Sequence, residues 1–421
     1  IKDSDRENPG RVLIGGGDGR VELYGDNDLS GQVTLGFCDI LLGHNRALGV
    51  NALNPDESAL VRPAGTLHSN DDSRTIPNDF FMPWNFNFAG DHSITLTGET
   101  SQTNNRTIVN DIDSSKTLTL DGRVSIWGDN DYVDMVRRGE FSGSGTTRIT
   151  GIIRNVSVSV EEDPEAPDVS VGDFRIVKLG TGVLIIDVGF GDNSHNGETT
   201  VTSGTMHYAN NDSLNVGGGM IRSIGGAVGV DTGVANNFDF ISMIDPVSFG
   251  GLMIPSADAA ATFDFTGTLS NVSNMTLAAP ETGVTFTGTI IPANSTYGLG
   301  GGTGTLTLPN AQLAGANALE VRNGGTVELL GDNTYTGATT LSRDTSLVVD
   351  DLANGGDASS IGLATSDASN LFIQSGTFKY VGSGDSTDRL FTIGTGGATI
   401  DASGTGAVVF SNTGDLVIDA V

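Results

Sequence analysis

With 51 Asp and Glu against 21 Lys and Arg, carboxylates are the first groups to test for chemistry. Asp26-Asn27-Asp28 and Asp129-Asn130-Asp131 each set two carboxylates two residues apart around an amide. Oxygen donors at that spacing suit a hard cation, so Asp26, Asp28, Asp129 and Asp131 are the metal candidates and calcium is the one cofactor suggested. The glycine-rich calcium repeat G-G-x-G-x-D is not regularly iterated. Acid–base chemistry on a polysaccharide needs two carboxyls in one groove. Asp111 with Asp113 can share a strand face, whereas Asp350 and Asp351, being adjacent, point to opposite faces if they lie in a strand. So acidic a chain generates such pairs by composition alone, and no catalytic residue is assigned.

The remaining reactive side chains read as structural. His44, His68, His92, His195 and His207 are scattered without metal-ligand spacing and read as turn or surface residues. Cys38 is the single cysteine. It follows Phe37 in an apolar run and reads as a small buried hydrophobe. Gly15-Gly16-Gly17-Asp18-Gly19 lacks the Lys-Ser/Thr of a nucleotide loop, so a turn is expected there.

These residues must be held by short strands. Gly accounts for 60 of 421 residues, about twice the usual ~7% share. β-Branched runs broken by Gly, Asn, Asp and Ser indicate an all-β chain. Leu118-Thr119-Leu120 and Ile94-Thr95-Leu96 alternate with period two, as half-buried strands do. One phrase recurs: TVELLGDNTYTGATTLS from Thr326, with weaker copies beginning at Val21, Val124 and Val183. Each copy is a strand, then Gly-Asp-Asn, and usually a second strand. The corner triplets are Gly25-Asp26-Asn27, Gly128-Asp129-Asn130, Gly191-Asp192-Asn193 and Gly331-Asp332-Asn333. Repetition of this kind means stacked units, here a parallel β-solenoid. Gly, Asn and Asp at the corners are expected to supply positive φ and to satisfy local backbone groups. Val327 and Leu329 are expected on the inner face, with Glu328 outside.

The formal net charge of −30 repels phosphate backbones and excludes nucleic acid as a partner. A single cysteine excludes an intrachain disulfide. No run approaches the ~20 apolar residues of a membrane helix. The opening IKDSDRENPG is polar and lacks an initiator Met, so the chain reads as a segment of something longer.

Gly331-Asp332-Asn333-Thr334-Tyr335-Thr336-Gly337, followed by Ala338-Thr339-Thr340-Leu341, resembles the autotransporter-associated β-strand repeat of bacterial passenger-type surface proteins. Lys178–Leu184 is similar to that family's entry strand, Thr199–Met206 to its exit, and Phe141–Gly151 to its connecting coils. The resemblance implies a right-handed parallel β-helix on a secreted or surface-exposed bacterial protein, and it supplies no catalytic residues.

The expected organisation is one elongated solenoid over 1–421. It carries an irregular, aromatic-rich excursion at 51–93 and an acidic, Pro-containing loop at 161–173. Phe80, Phe81, Trp84, Phe86 and Phe88 form the aromatic cluster. It either caps or flanks the core or presents a contact surface. The expected function is structural or adhesive at the cell surface, within a fibre, surface layer or stalk, and not enzymatic. The partners are copies of the chain or flanking segments, or surface glycans. A polysaccharide-degrading enzyme and a glycan-binding adhesin are the alternatives.

Overall fold

The computed structural model describes residues 10–15, 17, 19–50, 59–103, 105–127, 137–155, 174–189, 193, 195, 197–214, 219–231 and 237–419. The loop 161–173 and the second Gly-Asp-Asn phrase at Gly128, Asp129, Asn130 and Asp131 lie outside them, as do Gly191 and Asp192. Two compact units are present: Ile1–Thr200 with His207–Ile221, and Val201–Met206 with Arg222–Val421.

The first unit contains three parallel sheets. Successive stretches of chain contribute one strand to each. Phe80–Met82, Phe86–Gly90 and Ile94–Leu96 are followed by Thr100–Thr103, Arg106–Ile112 and Thr117–Leu120. Each strand pairs in parallel with its counterparts one coil before and after, so Ile94 lies between Arg74 and Leu118. The second unit repeats the scheme on two main sheets. One includes Thr276–Ala278, Thr296–Leu299, Ala318–Val321 and Thr339–Leu341; the other includes Thr305–Leu308, Thr326–Leu329, Thr345–Val349 and Gly376–Tyr380. All pairings between these strands are parallel. The chain therefore folds as a parallel β-helix.

Register makes the core. Leu306, Val327, Leu347 and Phe378 form one inward column, and Leu308, Leu329, Val349 and Tyr380 its neighbour. All eight are buried. A one-residue slip would turn each column outward, so burial fixes the pairing. The alternation expected for Val327, Glu328 and Leu329 is found, as is that of Ile94 and Leu96.

The stretch 51–93 is more regular than its prolines suggest, where it is described. Pro63, Pro77 and Pro83 each directly follow a strand: Leu60–Arg62, Arg74–Ile76 and Phe80–Met82. They occupy corners, where a missing N–H costs no ladder bond.

The corners work differently from the sequence expectation. No described residue of the Gly-Asp-Asn triplets has positive φ. Instead, the asparagine side chain turns inward. Asn27 Nδ2 donates to Ala47 O at 2.7 Å, Asn193 Nδ2 to Ser213 O at 2.6 Å, and Asn333 Nδ2 to Ser360 O at 3.0 Å. Asn333 Oδ1 also accepts from Leu313 N at 3.0 Å, 20 residues earlier. Asn78, outside the repeat phrase, donates to Gly49 O and Ala59 O at 2.7 and 2.8 Å. All four amides are buried. Each satisfies backbone groups of a neighbouring coil that no ladder reaches. The glycine is required for proximity: a Cβ on Gly331 would stand 2.3 Å from the Asn310 carbonyl carbon.

The residue two after the asparagine completes the corner. Tyr335 is buried, and its hydroxyl lies 2.6 Å from Thr339 Oγ1. At the matching place His195 is fully buried, with Nδ1 2.5 Å from Asn193 Oδ1 and Nε2 3.0 Å from Thr199 Oγ1. Asn193 Oδ1 accepts, because its Nδ2 donates to Ser213, so Nδ1 carries a proton; with burial keeping the ring neutral, Nε2 is left to accept from Thr199. His195 and His207 are core residues, correcting their reading as surface or turn positions. The matched phrases N-x-[ring]-x-x-x-T carried that signal. Burial draws the His195 imidazole down to about 4 from 6.5. Lys178 takes the inward place next to Phe141 on its strand. Its ammonium donates to Leu179 O and Gly180 O, and burial lowers it to about 7.

Two outcomes follow from these corners. Asn333→Ala, which strands buried backbone groups, is expected to cost about 2–4 kcal/mol; Asp332→Ala, at an exposed carboxylate, should stay within about 0.5 kcal/mol. Urea midpoints of the two variants check this, and equal midpoints would refute it. His195 stays neutral in the folded chain to about pH 4, whereas the unfolded chain protonates near 6.5. Its contribution is therefore full above pH 6.5 and lost as pH falls toward 4, by on the order of 3 kcal/mol. Thermal melts from pH 7 to 4 should show a shallower acid slope for His195→Asn than for the parent chain.

Candidate functional site

Most of the described candidate carboxylates are occupied with structural work. Asp26 Oδ1 lies 3.2 Å from Arg46 Nε, and Asn27, between the two acids, spends its amide on Ala47. A guanidinium on the carboxylate leaves Asp26 poorly suited to calcium, whose ligands must face an open centre. Among the described residues no group of three or more His, Cys, Asp or Glu converges on a point. Asp111 Oδ1 accepts from the Ser144 N–H and hydroxyl at 2.9 and 3.0 Å. Asp113 accepts from the Ser115 hydroxyl and N–H, and those bonds hold its carboxyl below the usual range. Asp350 accepts from Ser360 Oγ at 2.9 Å. Asp351 is raised by burial and by neighbouring Asp385. The serine bonds fasten turns to strands, and no acid–base pair is assembled from the described candidates.

The aromatic cluster divides. Phe80, Phe86 and Phe88 are interior, at 1%, 0% and 0% exposure. Alternation puts them on the inner face of their strands, and Phe86 packs edge-on against Phe88 with centroids 4.9 Å apart. They build the core and are corrected from contact residues to packing residues. The outward remainder is Phe81 and Trp84. Phe81 stands in an outward row next to Ser101, with the Arg62 guanidinium 5.1 Å from its ring centroid. Trp84 sits at the corner that follows, 45% exposed.

Trp84 has a partner that sequence spacing could not supply. Phe37, 68% exposed, occupies the equivalent corner two coils earlier and meets Trp84 edge-to-face with centroids 6.4 Å apart. Between them in the column lies the turn after Leu60–Arg62, where Pro63 and Ala64 are buried. Stacking of coils thus gathers Phe37, Arg62, Phe81 and Trp84 on one side of the first unit. Two of these rings keep much of their surface in water, which is costly unless another surface covers them. A flat aromatic pair beside a guanidinium offers ring faces for apolar sugar or side-chain surfaces and donors for their polar edges.

Comparison with known proteins yields one informative relative. No family model matches the chain, and no solved structure matches it. The chain is 30% identical over 261 residues to the adhesin BmaC autotransporter of Brucella suis biovar 1 (strain 1330). That stretch is 59% of this chain but 6% of the relative. The chain therefore spans a small part of the length of the protein it matches. The likeness to autotransporter passenger-type bacterial surface proteins, first visible in Thr326–Ser342, is supported by a relative aligned with more than half of the chain.

Proposed function

We propose that this chain is an adhesive passenger segment of a secreted or surface-exposed bacterial protein. Its coils act as a rigid shaft, and the corner formed by Phe37, Phe81 and Trp84 is a contact surface for glycans. The observation that carries this reading is the exposed Phe37–Trp84 pair on a chain similar to an autotransporter adhesin. A binding role fits the candidate acids better than catalysis does, since hydrogen bonds to nearby serines already hold Asp111, Asp113 and Asp350. A polysaccharide-cleaving enzyme would instead bring acids together in a groove.

On a glycan array the full chain should bind a subset of surface glycans, and Phe37→Ala with Trp84→Ala should cut that binding at least tenfold. The melting temperature should move little, because exposed rings contribute little to folding. Unchanged binding in the double variant would remove the aromatic corner from the reading. Release of reducing or unsaturated sugar ends from polysaccharides would replace the binding role with catalysis.

A further inference from the structure

The second unit carries a polar groove that no sequence motif marks. Its volume is about 450 Å³, and Phe249, Asn274, Asn294, Glu320, Arg322 and Arg343 border it. The floor is the outward face of the sheet that contains Thr296–Leu299 and Ala318–Val321. Gly298 lies opposite Glu320 there, and the missing side chain leaves the hollow open. A Cβ at Gly298 would come within 3.3 Å of Thr276 Cγ2.

Two cations face this space in a chain of net charge −30. The Arg322 side chain is 17% exposed and is pinned by three of its five N–H groups. Nη1 donates to Phe249 O at 2.6 Å, Nη2 to Asn274 O at 2.7 Å, and Nε to Glu320 Oε2 at 3.3 Å. Its orientation is set by backbone carbonyls before any ligand arrives. Arg343 stacks over the Phe249 ring, 5.2 Å from the centroid, and pairs with no carboxylate among the described residues. The two arginines repel one another, and a bound anion would relieve that repulsion.

The backbone at the rim is also unusual. Asn294 and Arg343, both in the lining, have φ of 52° and 56°, and Asn323, next to Arg322 in the chain, has φ of 75°. Asn323 is tied to the same carbonyl as Arg322, Phe249 O, at 2.9 Å. Non-glycine residues in this region are strained and collect at binding sites.

We infer that this groove binds a carboxylated sugar, with the Arg322 and Arg343 guanidiniums receiving the carboxylate. Planar, bidentate donors suit a carboxylate. Ser273, Asn274, Asn294 and the Glu320 carboxylate ring the space with donors and acceptors for hydroxyls. One acid and no second carboxyl across the groove make it a binding site, not a hydrolytic one. The site stands apart in its residues from the aromatic corner, so each can fail without the other.

The test is titration calorimetry of the full chain with a hexuronate disaccharide and with its neutral hexose counterpart. The hexuronate should bind, the neutral sugar at least tenfold more weakly, and the affinity should fall with salt. Arg343→Gln, at an exposed position, should weaken hexuronate binding at least tenfold with circular dichroism unchanged. Gly298→Val, which fills the floor, should do the same. Phe37→Ala with Trp84→Ala should leave it intact. Absent binding, equal affinity for both sugars, or hexuronate binding unaffected by Arg343→Gln would each overturn the inference. Inorganic sulfate competing as well as hexuronate would show a general anion site and overturn the sugar assignment.

Discussion

A chain that winds into coils must satisfy the backbone at its bends. Strands find partners above and below, but corner carbonyls and N–H groups do not line up with a ladder. Buried and unpaired, each would cost about 1–3 kcal/mol. The inward asparagines answer this constraint. Asn27, Asn78, Asn193 and Asn333 all bond carbonyls of neighbouring coils. A carboxamide carries both donors and an acceptor, so a single side chain can serve two coils, as Asn333 does for Leu313 and Ser360. Asp could not replace it, because an ionised carboxylate only accepts. This explains why the phrase reads Gly-Asp-Asn, with the acid outside and the amide inside.

The same logic accounts for the buried cations. Arg389 is 4% exposed and donates to the carbonyls of Ala353, Ala364 and Gly362. It also reaches Asp357 O at 3.1 Å. An irregular stretch between Asp351 and Ser366 thus closes around one guanidinium, and carbonyls take the place of a counterion. Lys178 does likewise for Leu179 and Gly180. Buried charge is tolerated in this chain where backbone dipoles surround it, at the cost of a lowered pKa.

On this frame the outward positions are free to vary, since they carry little folding energy. The two binding surfaces proposed here follow that division. The Phe37–Trp84 corner uses residues that a β-helix does not need for packing. The Arg322–Arg343 groove uses a missing side chain on the sheet face and a pinned guanidinium above it. Neither disturbs an inward column such as Leu306, Val327, Leu347 and Phe378.

The period-two alternation of Thr326–Leu329 and Ile94–Leu96, with Gly-Asp-Asn between strands, determined the parallel solenoid, because both are local rules about which side chains point inward. The sequence also set apart the aromatic segment Phe80–Phe88 and the acidic pairs. It could not say which rings would face out, since Phe80 and Phe81 differ only in strand phase. Nor could it place His195, whose role depends on aligning its phrase with that of Tyr335. Phe37 and Trp84 are 47 residues apart in the chain and meet only because the solenoid sets them at equivalent corners two coils apart. Phe249, Arg322 and Arg343 come together for the same reason, |i−j| reaching 73 for the Arg322 bond to Phe249. Stacking turns large sequence separations into neighbours a few ångströms apart. The residues of a coil are therefore legible one by one, and the surfaces they form across coils are decided by register.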